Sequence, residues 1–249
     1  MSKAKGVFYR RIEGVFPDNV VAILTNRRGG FSRSPYDSMN LATHVGDDPH
    51  AVAQNRELLI REAKLPSEPL WLEQIHSDRI VYNYGPAGTP PLADASWTDR
   101  SGLVCIVLTA DCLPILVANK SGTEVAAIHA GWRGLAHGII KSSIKAMNCD
   151  PGGLIVWLGP NIGRCLFEVG QDVKDEFAVN GFEIESNFAT AEDGKMFADL
   201  VGLASGQLKE LGVSEIVIDG TCCYEDSEHF YSFRRDEDTG RFASLIYIK

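Results

Sequence analysis

The chain has 249 residues, a formal net charge of −9 and 45% apolar residues, enough for a sizeable core in one large α/β domain. No apolar run approaches the roughly 18 residues a membrane span needs. Cationic residues stand in isolated pairs such as Arg27-Arg28 and Arg234-Arg235, without the basic stripe of a nucleic-acid binder, although local arginines suit a small anion.

The opening "MSKAKGVFYRRIEG" lacks the apolar core of an export signal, so a cytoplasmic protein is expected, as a monomer or homodimer. "NVVAILTNRRGG" reads as a strand running into a glycine-rich turn. "DPHAVAQNRELLIREAKL" has an aspartate cap, a proline in the first turn and apolar residues at helical spacing. "LWLEQIH" reads as a short strand arriving at His76, and "GLVCIVLT" as a strand buried on both faces, with Cys105 a small hydrophobe within it.

"LPILV" and "EVAAIHA" form a hairpin around "ANKSGT". "LAHGIIKSSIKAMN" reads as one amphipathic helix starting near Leu135. "GGLIVWLGP" is a buried strand, "VGQDVKDEFAVN" and "DLVGLASGQLKELG" are helices, the second closed by Gly212. "SEIVIDG" and "FASLIYI" complete the strands. Interleaved strands and helices give an α/β or α+β class: a single domain, residues 1–249, with mixed sheets and helices packed outside.

A turn at 119–122 in the hairpin sets Cys112 directly opposite His129, with Cβ atoms about 4.5–5.5 Å apart. A slip of one residue would break this pairing. A thiolate and an imidazole so placed either share a metal or form an ion pair. His76 also ends a short apolar run, and two histidines with one cysteine match a catalytic zinc site with one position open for water or substrate. Asp111 is a candidate to orient a ligand histidine from behind. Gly131 and Gly134 admit close backbone approach, and Arg133, beside a helix start, offers a guanidinium for phosphate, with Arg28 as a second. Asn40 in "SMNLA" is either a ribose or base contact or a turn-capping amide. Glu73 is a candidate proton shuttle. Trp132 reads as core, and His137 as a solvent-facing or packing residue on the helix.

"TNRRGGFS", "NLATHVGDD", "QIHSD", "TADCLPILV", "AIHAGWRG", "LGPNIGRCLFEVG" and "FYSFRRDEDTGRFASLIYI", in this order, closely resemble the YfiH family, labelled laccase-domain or polyphenol oxidoreductase proteins and also described as purine nucleoside phosphorylases. The resemblance implies a metal site of His76, Cys112 and His129. It also implies phosphorolysis of adenosine, inosine, guanosine and methylthioadenosine by inorganic phosphate, with adenosine deamination alongside. The family pattern often carries a second cysteine and a tyrosine where this chain has Leu166 and Phe167, while Cys165 and Cys222 match it as packing or pocket-wall residues.

The residues leave four other readings. A metal-free hydrolase would use Cys112 as nucleophile, His129 as base and Asp111 or His76 as the group that orients it. Some family members are described as peptidoglycan editing factors. For a copper-dependent polyphenol oxidase, His76, Cys112 and His129 could bind one copper, but six histidines and no His-X-His pair cannot build a four-copper oxidase, so zinc is favoured over copper. A non-catalytic binding module would leave the converging ligands without purpose.

Overall fold

The structure, a computed structural model, describes residues 8–249. Strands β1 (Tyr9–Arg11), β2 (Val20–Thr25), β13 (Phe242–Ile248) and β5 (Val104–Thr109) form a four-stranded antiparallel sheet in the order β1-β2-β13-β5. A six-stranded mixed sheet runs β12 (Glu215–Ile218), β8 (Leu154–Leu158), β6 (Leu113–Asn119), β7 (Val125–Ala130), β4 (Ala95–Thr98), β3 (Ile80–Tyr82). Three short strands, β10 (Phe188–Thr190), β11 (Met196–Ala198) and β9 (Glu168–Val169), make a small third sheet.

Alternation along the buried strands decides the layering. Leu24, Val107 and Ile246 of the first sheet meet Leu116, Ala127 and Trp157 of the second in one apolar layer. The other face of the first sheet, with Ile23, Ile106 and Leu245, packs on Leu58 and Leu59 of α1 (Pro49–Glu62). The far face of the second, with Ile115, Val117 and Ile128, packs on α3 (Ile139–Ala146) and α5 (Leu200–Glu210). The result is helix, sheet, sheet, helix, with helices outside as the sequence predicts. α4 (Gln171–Val179) adds Val173 and Phe177 to the same helical layer.

Local chemistry accounts for several boundaries. Asp48 caps α1 by accepting from the His50 N–H, and Pro49 occupies the first turn, where no intrahelical donor is needed. Gly212, at φ +94°, ends α5 in the left-handed conformation.

Three readings are corrected. The segment around "LWLEQIH" is an extended arm, tied by isolated bridges at Leu70 and Glu73. The single helix over 135–148 is two: α2 (Trp132–Ala136) ends before Gly138, whose φ of +95° turns the chain into α3. The hairpin is shifted by two residues, pairing Pro114 with His129 and Leu113 with Ala130. Asn119 belongs to the strand, and its side chain accepts from the Thr123 and Glu124 N–H groups, so the turn occupies 120–123. A shift of two preserves the faces: Cys112 stays on the side of His129, and Gly131 falls opposite it.

Trp157 is the largest side chain of the layer between the sheets, and it is almost fully buried. Trp157→Ala should lower the unfolding free energy by about 3–5 kcal/mol in chemical denaturation. A loss below about 1 kcal/mol would mean that the layer does not hold the two sheets together.

Candidate metal centre

Both sheets bring strand termini to one place. Cys112 lies between the end of β5 and the start of β6, where the chain passes from the first sheet to the second. His129 is the penultimate residue of β7, and Asp94 immediately precedes β4. β6 and β4 both run antiparallel to β7, so these three residues share one end of the six-stranded sheet.

Asp94 is fully buried and organises the group. One oxygen accepts from His129 Nδ1 at 2.8 Å and from the His76 N–H at 2.9 Å. The other accepts from the Ser77 N–H at 2.6 Å, the Ser77 hydroxyl at 2.7 Å and the Ile75 N–H at 3.3 Å. The bond to Nδ1 fixes the His129 tautomer and leaves Nε2 free as a ligand. The bonds to 75–77 hold His76 at φ +59°, a left-handed conformation that an unsupported histidine would rarely keep. Asp94, rather than Asp111, therefore stands behind the histidines. Asp111 instead accepts from the Arg234 N–H at 2.6 Å, pinning the 232–236 segment.

The arm carrying His76 is docked on β5 by its own amide. Gln74 donates to the Leu108 carbonyl and accepts from the Leu108 N–H, each at 2.8 Å, standing in for a pair of strand hydrogen bonds. The glycines then allow close packing. A Cβ on Gly131 would lie 2.5 Å from His76 Cδ2 and 3.2 Å from Cys112 Sγ, and one on Gly134 would lie 2.6 Å from the Ser77 carbonyl. Gly131 and Gly134 thus make room for the chain's own histidine arm.

His76 Nε2 lies 3.7 Å from Cys112 Sγ, and the ligand atoms of His76, Cys112 and His129 all fall within 4.8 Å of one another. The histidine rings cross at 80° with centroids 4.8 Å apart. Zinc bonds of about 2.3 Å to sulfur and about 2.0 Å to nitrogen, set tetrahedrally, place the two ligand atoms about 3.5 Å apart. The donor set and spacing fit a zinc ion with an open fourth position.

Electrostatics prepare the donors. Burial opposes ionisation of Cys112, but the charge and hydrogen bond of His129, aided by His76, outweigh it and hold the thiol at about 6. Burial likewise disfavours the His129 imidazolium, yet Cys112 and Asp94 raise it to about 9. Burial works against the Asp94 carboxylate too, and His129 and Ser77 outweigh it, holding the group at about 2. The thiolate required of a metal ligand is the favoured form near neutral pH.

The three ligands line a cavity of about 290 Å³, near the lower end of small-molecule pockets. His44, Gln74, Phe167, Phe233, Arg234 and Arg241 line it as well. The Arg241 guanidinium sits 5.7 Å from the Phe233 ring centroid, and that of Arg234 sits 5.4 Å from the Phe167 centroid.

Arg133, Arg28 and Asn40 are not brought to this wall. Arg133 is exposed on the five-residue α2, its guanidinium 4.2 Å over the Trp132 ring. Arg28 pairs with Glu228 in a separate open depression. Asn40 is fully buried, accepting from the Ala42 and Arg241 N–H groups and donating to Asp47 and the Ala42 carbonyl. It fixes the backbone from which Arg241 projects. Glu73 is exposed and outside the lining, Cys222 accepts from the Gly163 N–H, and His137 pairs with Glu176 at the surface. Arg241 carries the same signal as His129, a charged residue where an apolar strand begins or ends; His44 lies in an irregular segment with no such mark.

Asp94→Asn keeps the volume but sets an amide N–H against donors that need an acceptor. Zinc affinity, measured by competition with a chromophoric chelator, should fall about 10–100-fold. Affinity equal to that of the unsubstituted protein would show that Asp94 does not position the ligands.

The family model described as "Multi-copper polyphenol oxidoreductase laccase" matches residues 21–249. The chain is 43% identical over 232 residues to "Purine nucleoside phosphorylase YfiH" of Escherichia coli, covering 93% of this chain and 95% of that protein. It is 42% identical over 235 residues to a protein of Haemophilus influenzae named purine nucleoside phosphorylase, covering 94% and 96%. Among solved structures, Neisseria meningitidis NMB0706 superposes with a TM-score of 0.93 at 43% identity, covering 97% of this chain and 99% of that one. YlmD of Geobacillus stearothermophilus gives a TM-score of 0.88 at 29% identity, with 93% of each chain covered. The chain belongs to the YfiH family of laccase-domain proteins.

Proposed function

We propose that this protein is a zinc-dependent purine nucleoside phosphorylase that takes adenosine, inosine, guanosine and methylthioadenosine with inorganic phosphate, and that it also deaminates adenosine. The observation that carries this reading is a two-nitrogen, one-sulfur ligand group opening on a cavity that also presents two guanidinium groups and two aromatic rings. Relatives named purine nucleoside phosphorylase support the substrate class. Among the described residues no helix is long and apolar enough to cross a membrane, and we place the enzyme in the cytoplasm.

Each wall has a task. Arg234 and Arg241 suit a phosphate, because a guanidinium presents paired donors to an oxyanion. Arg241 is preset: it donates to the Thr239 and Gly240 carbonyls, each at 2.9 Å, while Asn40 holds its backbone. The Phe233 and Phe167 rings suit the faces of a purine. These guanidinium groups would hold and orient the attacking phosphate, whose own negative charge would face the positive charge that develops at the sugar carbon. His76, Cys112 and His129 would hold zinc, which when bound supplies Lewis acidity at its open position.

Cys112→Ala should abolish phosphate-dependent release of hypoxanthine from inosine, deamination of adenosine and most zinc binding. Turnover retained in that variant would rule out a shared metal mechanism.

One arrangement favours a second reading. Cys112, His129 and Asp94 line up as a thiolate, a base and its orienting carboxylate, the order of a cysteine hydrolase. Chelation separates the two: a hydrolase of that kind keeps its rate without metal, whereas the zinc enzyme loses it and recovers on zinc addition.

A further inference from the structure

The polar groups of the cavity wall are nearly all committed. The Gln74 amide is spent on Leu108 in both directions. One Asp111 oxygen accepts from the Arg234 backbone, while the other, like the Thr109 hydroxyl, has no hydrogen-bond partner among the described residues but is sealed from solvent. His76, Cys112 and His129 form the ligand group. The Arg234 and Arg241 guanidinium groups donate hydrogen bonds and have no acceptor atom through which to relay a proton. Outside the ligand group, His44 is the uncommitted side chain of this wall that is open to solvent. It lies in the segment between β2 and α1, lines the same cavity, is solvent-exposed and makes no hydrogen bond or ion pair among the described residues.

We propose that His44 carries the proton from the attacking phosphate to the departing purine. This rests on the phosphorylase reading, and its proton balance follows from the reaction. Monohydrogen phosphate forms a bond from one oxygen to the anomeric carbon, while the bond from that carbon to N9 breaks and its electron pair leaves with the base. The sugar phosphate formed has no phosphate proton, whereas the free purine has gained one. A neutral imidazole completes the transfer alone, accepting the phosphate proton on one ring nitrogen and releasing its own from the other. It returns as the opposite tautomer, which exchange with solvent resets. No further reactant is consumed.

The surroundings keep the ring neutral. Partial burial of the ring, then the charges of Arg241 in the 239–241 segment and Arg56 on α1, lower its pKa from the usual 6.5; Glu73 on the histidine arm opposes them, and His129 adds a smaller lowering. The relay form is therefore full at neutral pH and is lost only as pH falls through this lowered value.

The test compares inosine with 7-methylguanosine, whose base already carries its positive charge at N7 and leaves without taking up a proton. The phosphate proton then passes to solvent from the sugar phosphate once formed, and no relay to the base is needed. In His44→Gln, kcat for phosphorolysis of inosine should fall about 100-fold or more. KM for phosphate, bound zinc and the rate with 7-methylguanosine should change little, and the acid limb of the kcat profile should disappear. Added imidazole should restore part of the inosine rate to His44→Ala. Equal losses on both nucleosides without imidazole rescue, or an inosine rate as high as that of the unsubstituted enzyme, would overturn the assignment. An unsubstituted, zinc-loaded enzyme that fails to split inosine with phosphate would instead overturn the phosphorylase reading itself, and the relay with it.

Discussion

A carboxylate sealed inside a protein is costly unless every oxygen finds a donor, and Asp94 finds five. That requirement binds three separate pieces of chain. The end of β7 supplies the His129 ring, residues 75–77 supply three backbone N–H groups and a hydroxyl, and the start of β4 supplies the carboxylate. Each lost donor makes the buried charge more costly, so these bonds favour the present arrangement of the histidines without a metal. The low Asp94 pKa is the electrostatic expression of the same bonds.

The architecture explains how an apolar sandwich accommodates such a site. The strand interiors of both sheets are committed to three apolar layers, and chemistry is confined to the strand ends. Cys112 marks the crossing from one sheet to the other, and Arg241 precedes the first residue of β13, which pairs with the last residue of β5. Ligands and cations thus come from both sheets and converge at their shared rim. The glycine opposite Cys112 admits the histidine arm, so its missing side chain contributes as directly as the ligands present.

Long apolar runs made β5, β8 and β13 legible in the sequence, and the three candidate ligands drew attention because each stands beside the end of such a run. The hairpin register was legible in parity but not in offset, since only the Asn119 side chain reveals where the turn begins. Asp94 escaped because it sits in "PLADASWTD", where a four-residue strand carries no periodic signal against its polar flanks. The helix over 135–148 looked continuous because the apolar spacing persists through Gly138 while the backbone does not. Arg133 drew attention by adjacency to His129 in sequence, yet one turn of α2 carries it to the surface. Arg241 stands where an apolar run begins and could have been read in the same way as His129, whereas His44 reaches the cavity from an irregular segment through packing that no local pattern encodes.

The central claim is that one ion is held by two imidazoles and one thiolate. X-ray absorption at the zinc edge of the untagged, zinc-loaded protein tests it directly. The account predicts one sulfur at about 2.3 Å and two imidazole nitrogens at about 2.0 Å, with a light atom completing the shell. A spectrum without sulfur, or a protein that does not retain stoichiometric zinc, would contradict it.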